Sequence, residues 1–455
     1  MTSVVEKYNI SPLDDRYRKE LEELIPYVSE FALNRTRVRV EIEYLIALTE
    51  EKGIAELPPL QSGERKRLRS LFLEFSPGDF QAIKKTEDRI GHDVKAVEYF
   101  LRRKLTRLEL GKYGPWIHYA LTSEDINNLA YGLMWQEALS KVYIPHLERL
   151  HDRLKALARR YKDLSILALT HGQPATPTSL GKEFAVFHHR LDRQLGQLSS
   201  HTLEGKLSGA SGTWSAHTAG YPRVHWFRFT RRFVSSLNLE PTLFTTQIST
   251  HDSLAESCHM MTRVNTILID LSRDLWLYIS RGTFRLKPRE GEVGSSTMPH
   301  KVNPIHFENA EGNAGLAVAY CSHLAQTLPV SRLQRDLSGS TVIRNQGVAI
   351  AHSLLAVKNI LKGLETVEAD EDQIRRELNS HWEILAEAVQ TILRKRGEDD
   401  PYERLRSLTR GKTVSRESMT AFIEDLDLPE EDKRMLLSLT PETYTGLASK
   451  VVDAL

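Results

Sequence analysis

Apolar residues recur at alternating spacings of three and four along several stretches of this chain, as they do on one face of a long helix. The clearest stretch runs from Met261 to Leu275, and residues 147–157 and 350–364 repeat the pattern. Several such stripes together favour long helices packed at shallow angles into a bundle. Signals for strands are few and short, and strands do not alternate regularly with helices, which disfavours a doubly wound α/β fold. We therefore predict an all-α protein with a long central helical bundle.

Breaks in the helical pattern divide the chain into three predicted domains. Glycines and a proline interrupt the pattern at Gly111, Gly114 and Pro115, and a charged run, ETVEADEDQ, follows the last long stripe. The predicted domains are an N-terminal helical domain (1–115), a central domain that contains the long helices (116–365) and a C-terminal helical domain (366–455).

Charge and composition exclude several classes of function. The 61 basic and 60 acidic side chains leave a formal net charge of +1, so nucleic acid and anionic membranes are not expected as partners. The N-terminus is polar and mixed in charge, unlike a signal peptide, and no apolar run approaches the roughly 20 residues that span a bilayer. Cys258 and Cys321 form neither a disulfide framework nor a metal motif. We expect a cytoplasmic protein without a metal or other cofactor, since the phosphate-binding and dinucleotide fingerprints are also absent.

The stretch GEVGSSTMPHKVNP, residues 291–304, fits neither an amphipathic helix nor an alternating strand. Gly291 and Gly294 give the backbone freedom, and serine hydroxyls follow them. Lys301 and Asn303 then place a cation and an amide where a helix is predicted to start, and N–H groups at a helix start favour an anion. A surface linker is the alternative for the glycine–serine part, but the MPHKVNP part favours a loop that carries chemistry.

Two further segments combine polar residues with predicted helix starts. In LTHGQPATPTS, His171 lies in a loop that Pro174 and Pro177 make stiff, and an imidazole held at a helix start suits acid–base catalysis. A structural histidine is the alternative. In LTSEDINN, Thr122 and Ser123 are followed by acidic residues, a pattern typical of a capping box. Both readings can hold there, because a capped helix start also presents N–H groups to an anion.

Charged residues crowd two other segments. In SRLQRDLSGSTVIRN, guanidinium groups lie beside hydroxyls, and three arginines against one aspartate favour a carboxylate or phosphate site over a merely charged loop. In DRIGHDVKAVEYF, a solvated helix face explains His92, Asp93 and Lys95 nearly as well as a binding site does. The candidate residues of the first segment are Arg332, Arg335, Ser340, Thr341 and Arg344.

Together these segments supply anion clamps, a candidate acid and a serine-containing loop. That combination suits removal of a proton next to a carboxylate without a cofactor, followed by loss of a leaving group from the neighbouring carbon. Such a carbon acid is weak, so the site has to stabilise the charge that develops on the carboxylate. The leaving nitrogen or oxygen needs a proton from an acid.

The segment GSSTMPHKVNP resembles the signature loop of the fumarase/aspartase superfamily, whose members eliminate fumarate from succinyl compounds. Other segments are similar to the bacterial type of the adenylosuccinate lyase family, and the resemblance extends from Ser11 to the C-terminal helices. These segments are SPLDDRY, HDVKAVEYF, LTSEDINN, THGQPATPTSLGKEF, TTQI, NPIHFENAEGN, RDLSGSTVIRN and LTRGK. The resemblance implies a three-domain, mostly helical protomer and a homotetramer whose active sites draw residues from three subunits.

The resemblance also implies a reaction and the residues that perform it. Family members cleave adenylosuccinate to AMP and fumarate, and the succinyl-carboxamide ribotide SAICAR to AICAR and fumarate. Ser295 is the implied general base, His171 the implied general acid, and Lys301 and Asn303 the implied ligands of the succinyl carboxylates. The other implied substrate-binding residues are Arg16, Tyr17, Gly91, His92, Asp93, Thr122, Ser123, Gln247 and Asn309, with Arg335, Ser340, Thr341 and Arg344 at the nucleotide end.

The proposed base raises a chemical question, because a serine hydroxyl is a poor base unless its proton is removed or its alkoxide is stabilised. Lys301 and the helix start after Pro299 are the positive influences near Ser295 in the sequence. Our hypothesis is that Ser295 becomes competent only when the loop closes and excludes water.

The chain departs from the family pattern at two positions. Gly91 stands where the pattern has an asparagine before His-Asp, which removes a side-chain contact to the substrate and leaves a backbone contact as the alternative. Ser208, in KLSGASGTW, also stands where the pattern has an asparagine. We expect neither change to abolish activity.

Particular sequence features distinguish the proposed function from its alternatives. A related lyase such as argininosuccinate lyase or aspartase does not need the arginines and hydroxyls of RDLSGSTVIRN, which suit a nucleotide phosphate. A non-catalytic protein with the same fold is disfavoured because Ser295, His171, Lys301 and Asn303 are all present. A nucleic-acid binder is disfavoured by the balanced charge. For His118, a part in proton transfer and a role in ordering its neighbours both stay open.

Overall fold

The structure is a computed structural model that describes residues 9–287, 298, 301–409 and 414–455. Helices dominate it, which confirms the all-α fold class, and the strands of the described residues are only two or three residues long. In chain order the α-helices are α1 Arg18–Leu21, α2 Ile25–Val28, α3 Glu30–Thr49, α4 Ser62–Leu73, α5 Pro77–Ile90, α6 Asp93–Arg107, α7 Ser123–Ala138, α8 Ile144–Arg160, α9 Leu180–Ser200, α10 Ser215–Gly220, α11 Trp226–Ser236, α12 Asp252–Ser280, α13 Ile305–Thr327, α14 Ser338–Ile343, α15 Gln346–Thr366, α16 Glu371–Asn379, α17 Ala386–Lys395, α18 Pro401–Thr409, α19 Arg416–Glu424, α20 Glu430–Ser438 and α21 Ala448–Asp453. The strands are β1 Ser165–Ile166, β2 Leu169–Thr170, β3 Gln173–Pro174, β4 Thr178–Ser179, β5 Glu204–Lys206, β6 Glu240–Thr242, β7 Phe284–Leu286 and β8 Val367–Ala369.

The apolar stripes of the sequence are the buried faces of long helices. In α12, Met261, Val264, Leu268 and Leu275 are at most 1 % exposed. The stripe at 147–157 lies on α8 and the stripe at 350–364 lies on α15, and most of their apolar residues are buried as well. Spacings of three and four keep these residues on one side of a helix that turns every 3.6 residues, so they are removed from water together.

The first of two compact units comprises the described residues of Met1–Leu147 together with Gln194–Thr266 and Gly312–Val357. In this unit α3 packs along α7 and also contacts α6. Tyr44 of α3 meets the rings of Phe229 and Phe233 on α11 edge-on, with centroids 5.9 and 5.5 Å apart. Strands β5 and β6 pair in parallel, with Glu204 opposite Glu240. The packing of α3, α6 and α7 holds the two helix starts that carry predicted site residues.

The second unit comprises the described residues of Glu148–Arg193, Ile267–Glu311 and Lys358–Leu455. It contains the antiparallel pairs β1–β4, β2–β3 and β7–β8. Gly181, near the start of α9, lies so close to the end of α8 that a Cβ there would be 2.3 Å from the carbonyl oxygen of Ala158, which excludes a larger residue. A separate apolar cluster, from Leu385 to Leu436, packs α17, α19 and α20 together near the C-terminus.

The boundaries between the two units fall inside α8, α9, α12, α13 and α15. The breaks predicted from the sequence lie where expected, because α6 ends at Arg107 and α15 ends at Thr366. The division into domains 1–115, 116–365 and 366–455 stays a prediction.

One helical stretch, Ser338–Thr366, is apolar and long enough to span a membrane, with a mean hydropathy of 1.2 over its best window. However, 78 % of that window is buried inside the protein. Core helices of soluble proteins have the same properties, so the stretch is weak evidence for a membrane span.

Candidate active site

Seven residues that were predicted to bind substrate line one cavity of the first unit, which has a volume of about 350 Å³. The walls come from the turn before α6, the start of α7, the segment before α12 and the segment that leads into α14 and α15. The fold thus brings together segments that are far apart in the sequence. The seven residues are Gly91, His92, Asp93, Ser123, Arg335, Ser340 and Arg344.

A tight turn between α5 and α6 brings three of these residues to the cavity. Gly91 ends α5 with a φ of 68°, a left-handed conformation that glycine adopts easily and asparagine more readily than most residues. Within the described part of the chain, a Cβ at Gly91 would meet no atom within 4 Å, so an asparagine would also fit. His92 caps α6 by accepting a hydrogen bond at Nδ1 from the Lys95 N–H at 3.3 Å, and Asp93 is the first residue of the helix. The segment DRIGHDVKAVEYF therefore places a helix start in the cavity wall.

The predicted capping box at Thr122 is confirmed. The Thr122 N–H donates to Asp125 Oδ2 at 2.8 Å, and the Asp125 N–H donates to the main-chain oxygen of Thr122 at 2.9 Å. Asp125 is fully buried and also accepts from Lys206 Nζ at 2.8 Å. The N–H groups of Ser208 and Gly209 donate to it at 2.9 and 3.1 Å. Because these donors surround one carboxylate, Asp125 fixes the turn that begins α7 at the cavity.

Ser208 departs from the family pattern without losing its contact to this carboxylate. The contact uses the main-chain N–H, which every residue except proline supplies. The Ser208 hydroxyl lies 2.9 Å from Thr245 Oγ1, so its side chain is hydrogen-bonded inside the first unit. The expectation that this substitution does not abolish activity stays a prediction.

Arg335 reaches the cavity from the segment before α14. Its Nη1 donates to Gln247 Oε1 at 2.8 Å, and Gln247 donates in turn to the carbonyl oxygen of Ala210 at 2.8 Å. Its Nη2 lies 3.6 Å from Glu124 Oε2, which is too long for a hydrogen bond. Burial raises the pKa of Glu124, and the positive charge of Arg335 offsets this effect only in part. Gln247, itself a predicted substrate residue, therefore orients Arg335.

Arg344 faces Asp93 at the cavity, with its Nη2 3.6 Å from Asp93 Oδ2. The same carboxylate oxygen lies 2.6 Å from Nη2 of Arg37. Burial alone would raise the pKa of Asp93, but the charge of Arg37, the N–H of Val94 and the charge of Arg344 hold that pKa below its ordinary value. Asp93 is therefore a carboxylate at neutral pH.

Several residues of the cavity wall were missed in the sequence. Arg37 lies inside the regular part of α3, where no motif marks it. Leu33, Arg37 and Glu41 follow one another at a spacing of four and are all buried, so a charged residue on a helix's buried face was the signal that could have identified Arg37. The missed residues include Arg37, Glu87, Glu124, Asn127, Tyr131 and His251.

His251 has a backbone conformation that is rare for a residue with a side chain. Its φ is 59°, in the left-handed region, and such strain is enriched at functional sites. Burial lowers the pKa of His251 to about 4. Its ring is therefore neutral at pH 7 and adds no positive charge to the cavity wall.

Some predicted residues of the first unit lie away from this cavity. Arg16 is exposed, with its guanidinium carbon 6.0 Å from the centre of the Tyr17 ring. Thr341 is exposed on α14 and does not line the cavity. Arg332 is exposed and pairs with Asp336 at 3.2 Å. The part of these residues in substrate binding stays a prediction.

In the second unit, His171 occupies the turn of the β2–β3 hairpin, where Thr170 pairs with Gln173. The prediction of a helix start at this histidine is wrong, because α9 begins only at Leu180. His171 and Gly172 both have left-handed conformations, with φ values of 55° and 72°. The His171 side chain is exposed at the tip of the hairpin.

The signature loop is described only at its end. Lys301 and Asn303 precede α13, which begins at Ile305, so the predicted helix start is confirmed. Lys301 is exposed, whereas Asn303 and Asn309 are partly buried. Ser295, the predicted general base, lies outside the described residues, and its role stays a prediction.

His118 lies away from the cavity wall and pairs with buried carboxylates. Its Nδ1 is 2.6 Å from Glu41 Oε1, and its Nε2 is 4.0 Å from Glu98 Oε1. Burial would lower the pKa of His118, but the charge and hydrogen bond of Glu41, with smaller help from Glu98, raise it above its ordinary value. These contacts fit the ordering role that the sequence left open.

Arg335 and Arg344 are the candidate anion ligands of this cavity, which Glu87, Asp93, Glu124 and Asp336 also line. Each of these two guanidinium groups lies 3.6 Å from a carboxylate oxygen without a direct hydrogen bond to it. Oxygens of a phosphate suit such guanidinium groups. Among the described residues, no group of three or more histidine, cysteine or acidic side chains could hold a metal ion.

Comparisons with known proteins agree over almost the whole chain. A family model described as "Lyase" matches residues 16–318, and a model described as "Adenylosuccinate lyase C-terminal" matches residues 331–445. Adenylosuccinate lyase of Haemophilus influenzae is 45 % identical, and that of Escherichia coli K12 is 46 % identical, each over 98 % of both chains. Adenylosuccinate lyase of Dictyostelium discoideum is 45 % identical over 96 % of both chains.

Solved structures share the fold at much lower identity. A fumarate lyase from Mesorhizobium sp. BNC1 aligns with a TM-score of 0.77 and 21 % identity, covering 95 % of this chain and 97 % of that one. The 3-carboxy-cis,cis-muconate lactonizing enzyme from Pseudomonas putida aligns with a TM-score of 0.75 and 21 % identity over 98 % of both chains. These likenesses establish the fold that the sequence resemblance implied.

Proposed function

Because the chain belongs to the adenylosuccinate lyase family, we propose that the cavity of its first unit binds the nucleotide part of adenylosuccinate. The enzyme is a lyase, and its reaction is the β-elimination of fumarate from adenylosuccinate, which leaves AMP. The proposal includes SAICAR as a second substrate, cleaved to AICAR and fumarate, because both substrates carry the same succinyl-amino group and a phosphate.

The observation that carries the proposal is the presence of Arg335 and Arg344 in one cavity with two capped helix starts. Two guanidinium groups suit a multiply charged phosphate. A small amino acid such as aspartate does not need this second cluster of positive groups. The cavity therefore favours a nucleotide substrate over the substrates of other lyases in the superfamily.

Catalysis is assigned to residues of the hairpin and of the signature loop. Ser295 removes a proton from the succinyl carbon next to a carboxylate, and Lys301 and Asn303 hold the succinyl carboxylates. The electron pair left on that carbon forms the C=C bond of fumarate as the C–N bond breaks, the C–N electron pair goes to the nitrogen, and His171 protonates that nitrogen. Lys301 stabilises the negative charge that develops during proton removal. The reaction requires no external oxidant or reductant.

The proposed active enzyme is a homotetramer whose sites draw on several subunits. Large apolar side chains of the long helices are exposed in the single chain, which is typical of surfaces that another chain covers. His171 is also exposed at a hairpin tip, where a neighbouring subunit can reach it. The exposed apolar side chains include Val186, Trp276, Leu277 and Leu316, which are 41–51 % exposed.

The proposal places the enzyme in the cytoplasm and assigns it no cofactor. Purine nucleotides and their succinyl derivatives are cytoplasmic metabolites, and Cys258 and Cys321 are both buried and free, as in a reducing compartment. The elimination needs only acid–base catalysis and charge stabilisation.

The direct test is fumarate release from the purified protein, followed by absorbance. Adenylosuccinate, SAICAR, argininosuccinate and aspartate are supplied in parallel at the same concentration. We expect release from the two succinyl nucleotides only, because only they place a phosphate at Arg335 and Arg344. Release from argininosuccinate or aspartate alone would keep the chemistry and overturn the substrate. No release from any of them by folded protein would overturn the lyase assignment.

Substitution of His171 by alanine tests the acid role. We expect kcat to fall by about 10²–10⁴ with adenylosuccinate, whose leaving nitrogen needs a proton. The loss should be much smaller with an analogue whose leaving group departs without a proton, such as a succinyl thioether of a low-pKa thiol. His189 is a histidine elsewhere in the same unit, so His189→Ala is the control, and the enzyme with this substitution should keep its activity. An equal loss with both substrates would rule out His171 as the acid.

A further inference from the structure

Arg37 places a buried guanidinium group beside the cavity. Its side chain is 2 % exposed, its Nη2 donates to Asp93 Oδ2 at 2.6 Å and its Nε donates to Asn127 Oδ1 at 2.9 Å. Arg37 belongs to α3, Asp93 is the first residue of α6 and Asn127 lies near the start of α7. One side chain thus connects α3 to both helix starts that carry predicted substrate residues.

The Asp93 carboxylate is shared between this buried arginine and the cavity. Its Oδ1 accepts a hydrogen bond from the Val94 N–H at 2.8 Å. Its Oδ2 lies 2.6 Å from Arg37 and 3.6 Å from Arg344. The Asp93 side chain is 24 % exposed and that of Arg344 is 50 % exposed. Asp93 therefore lies between the buried Arg37 and the half-exposed Arg344.

We propose that Arg37 is a positioning residue for the lyase reaction, which acts through Asp93 to hold Arg344 in place for the substrate anion. Arg37 keeps Asp93 charged and fixed, and Asp93 sets the location of the Arg344 guanidinium group. This inference rests on the proposed function, because it takes the cavity as the nucleotide site.

The surroundings of Asp93 decide what the loss of Arg37 does. With Arg37 present, the pKa of Asp93 is below its ordinary value in spite of burial. Without Arg37, only Arg344 and the Val94 N–H offset the effect of burial on the pKa of Asp93. That pKa therefore rises, and the carboxylate takes up a proton at a higher pH. The charged or titratable groups that face Asp93 are Arg37 of α3, Arg344 before α15, His92 at 3.8 Å and Tyr131 of α7, whose own pKa is raised by burial.

The test is the pH dependence of kcat/KM for adenylosuccinate in Arg37→Met, which keeps the length of the side chain and removes its charge. The proposal takes Asp93 to act as a carboxylate, so the acidic limb of the profile should move to higher pH. The loss of kcat/KM at low pH should come mainly from an increase in KM, because Arg37 acts on binding of the anion. Arg39→Met is the matched control: it lies on the same helix, pairs with Glu137 at 2.7 Å and is away from the cavity wall. We expect its profile to match that of the wild type.

A double variant separates this role from a general loss of packing. In Arg37→Met combined with Asp93→Asn, the carboxylate whose pKa Arg37 lowers is absent, so the shift of the acidic limb should disappear. The double variant should also resemble Asp93→Asn alone in KM, since Arg37 acts through Asp93. An Arg37→Met enzyme with reduced activity but an unshifted limb would overturn the proposal, because a merely structural role predicts that result.

If Arg37→Met does not fold, Arg37→Lys replaces it, since lysine keeps the charge but cannot bond to Asp93 and Asn127 as a planar fork does. KM of Arg37→Lys is then measured with Asp93 intact and with Asp93→Asn: an increase that needs Asp93 supports the proposal, and an equal increase in both backgrounds overturns it. A failure of the proposed function is distinguishable, because the wild type itself would then release no fumarate. In that case AMP binding is measured by calorimetry across the same pH range in wild type and variant. A shift of its acidic limb to higher pH in the variant supports the positioning role, and identical pH dependences overturn it.

Discussion

Ser295→Ala is expected to lower kcat by about three to four powers of ten while adenylosuccinate still binds. Loss of a general base typically costs 10²–10⁴ in rate, and alanine leaves the anion-binding residues Arg335 and Arg344 unchanged. Turnover is measured by fumarate release, and binding by calorimetry with the inactive variant. The expected result is a dissociation constant within about tenfold of the wild-type KM.

The neighbouring hydroxyl provides the comparison for this variant. Ser296→Ala removes a hydroxyl from the same signature loop, next to Ser295 in the sequence. If Ser295 is the base, the loss of kcat in Ser296→Ala should be far smaller. Near-normal turnover of Ser295→Ala would falsify the assignment, and a larger loss in Ser296→Ala would move the role to that residue.

Lys206→Met is expected to destabilise the protein by about 3–5 kcal/mol, because it breaks a fully buried ion pair and leaves one charge behind. Lys206 Nζ lies 2.8 Å from Asp125 Oδ1, and both side chains are 0 % exposed. Lys206 also donates to the carbonyl oxygen of Gly209 at 3.0 Å, so that acceptor loses its partner as well. The free energy of unfolding is measured by urea denaturation at one fixed protomer concentration, since association shifts apparent stability.

A partly exposed lysine provides the control for this measurement. Lys104 lies 2.6 Å from Asp79 Oδ1, with side-chain exposures of 28 % and 16 %. Lys104→Met should cost at most about 1 kcal/mol, because solvent screens such pairs. An equal decrease in the free energy of unfolding in the two lysine variants would contradict the larger contribution expected of the buried Lys206–Asp125 pair. The remaining activity of Lys206→Met should also fall, since Asp125 holds the capped turn at Thr122.

Much of the fold could be predicted because it depends on local spacing. The stripes at 261–275 and 350–364 identified buried helix faces, and the capping pattern identified the start of α7 at Ser123. Each of these features involves residues within one or two helical turns, which the sequence displays directly. The signature loop and the arginine segment likewise identified the family, since short motifs carry the chemistry of the site.

The sequence was less informative about residues without a motif. Arg37 and Asp93 are 56 positions apart, and Arg335 and Gln247 are 88 positions apart. A periodic pattern shows which face of a helix is buried but not which partner it meets. His171 shows the same limit, because its proline-rich loop formed a short hairpin where a helix start was expected.

The sequence by itself determined the helical class, the family and seven of the residues that line the cavity. Helix periodicity, capping boxes and signature motifs are local properties, so they can be recognised without the three-dimensional arrangement. Only the tertiary structure decided that the starts of α6 and α7 meet Arg335 and Arg344 in one cavity, and that Arg37 holds Asp93 there. Such contacts join residues far apart in the chain, and they form because buried charges require partners that only the packing of helices brings within reach.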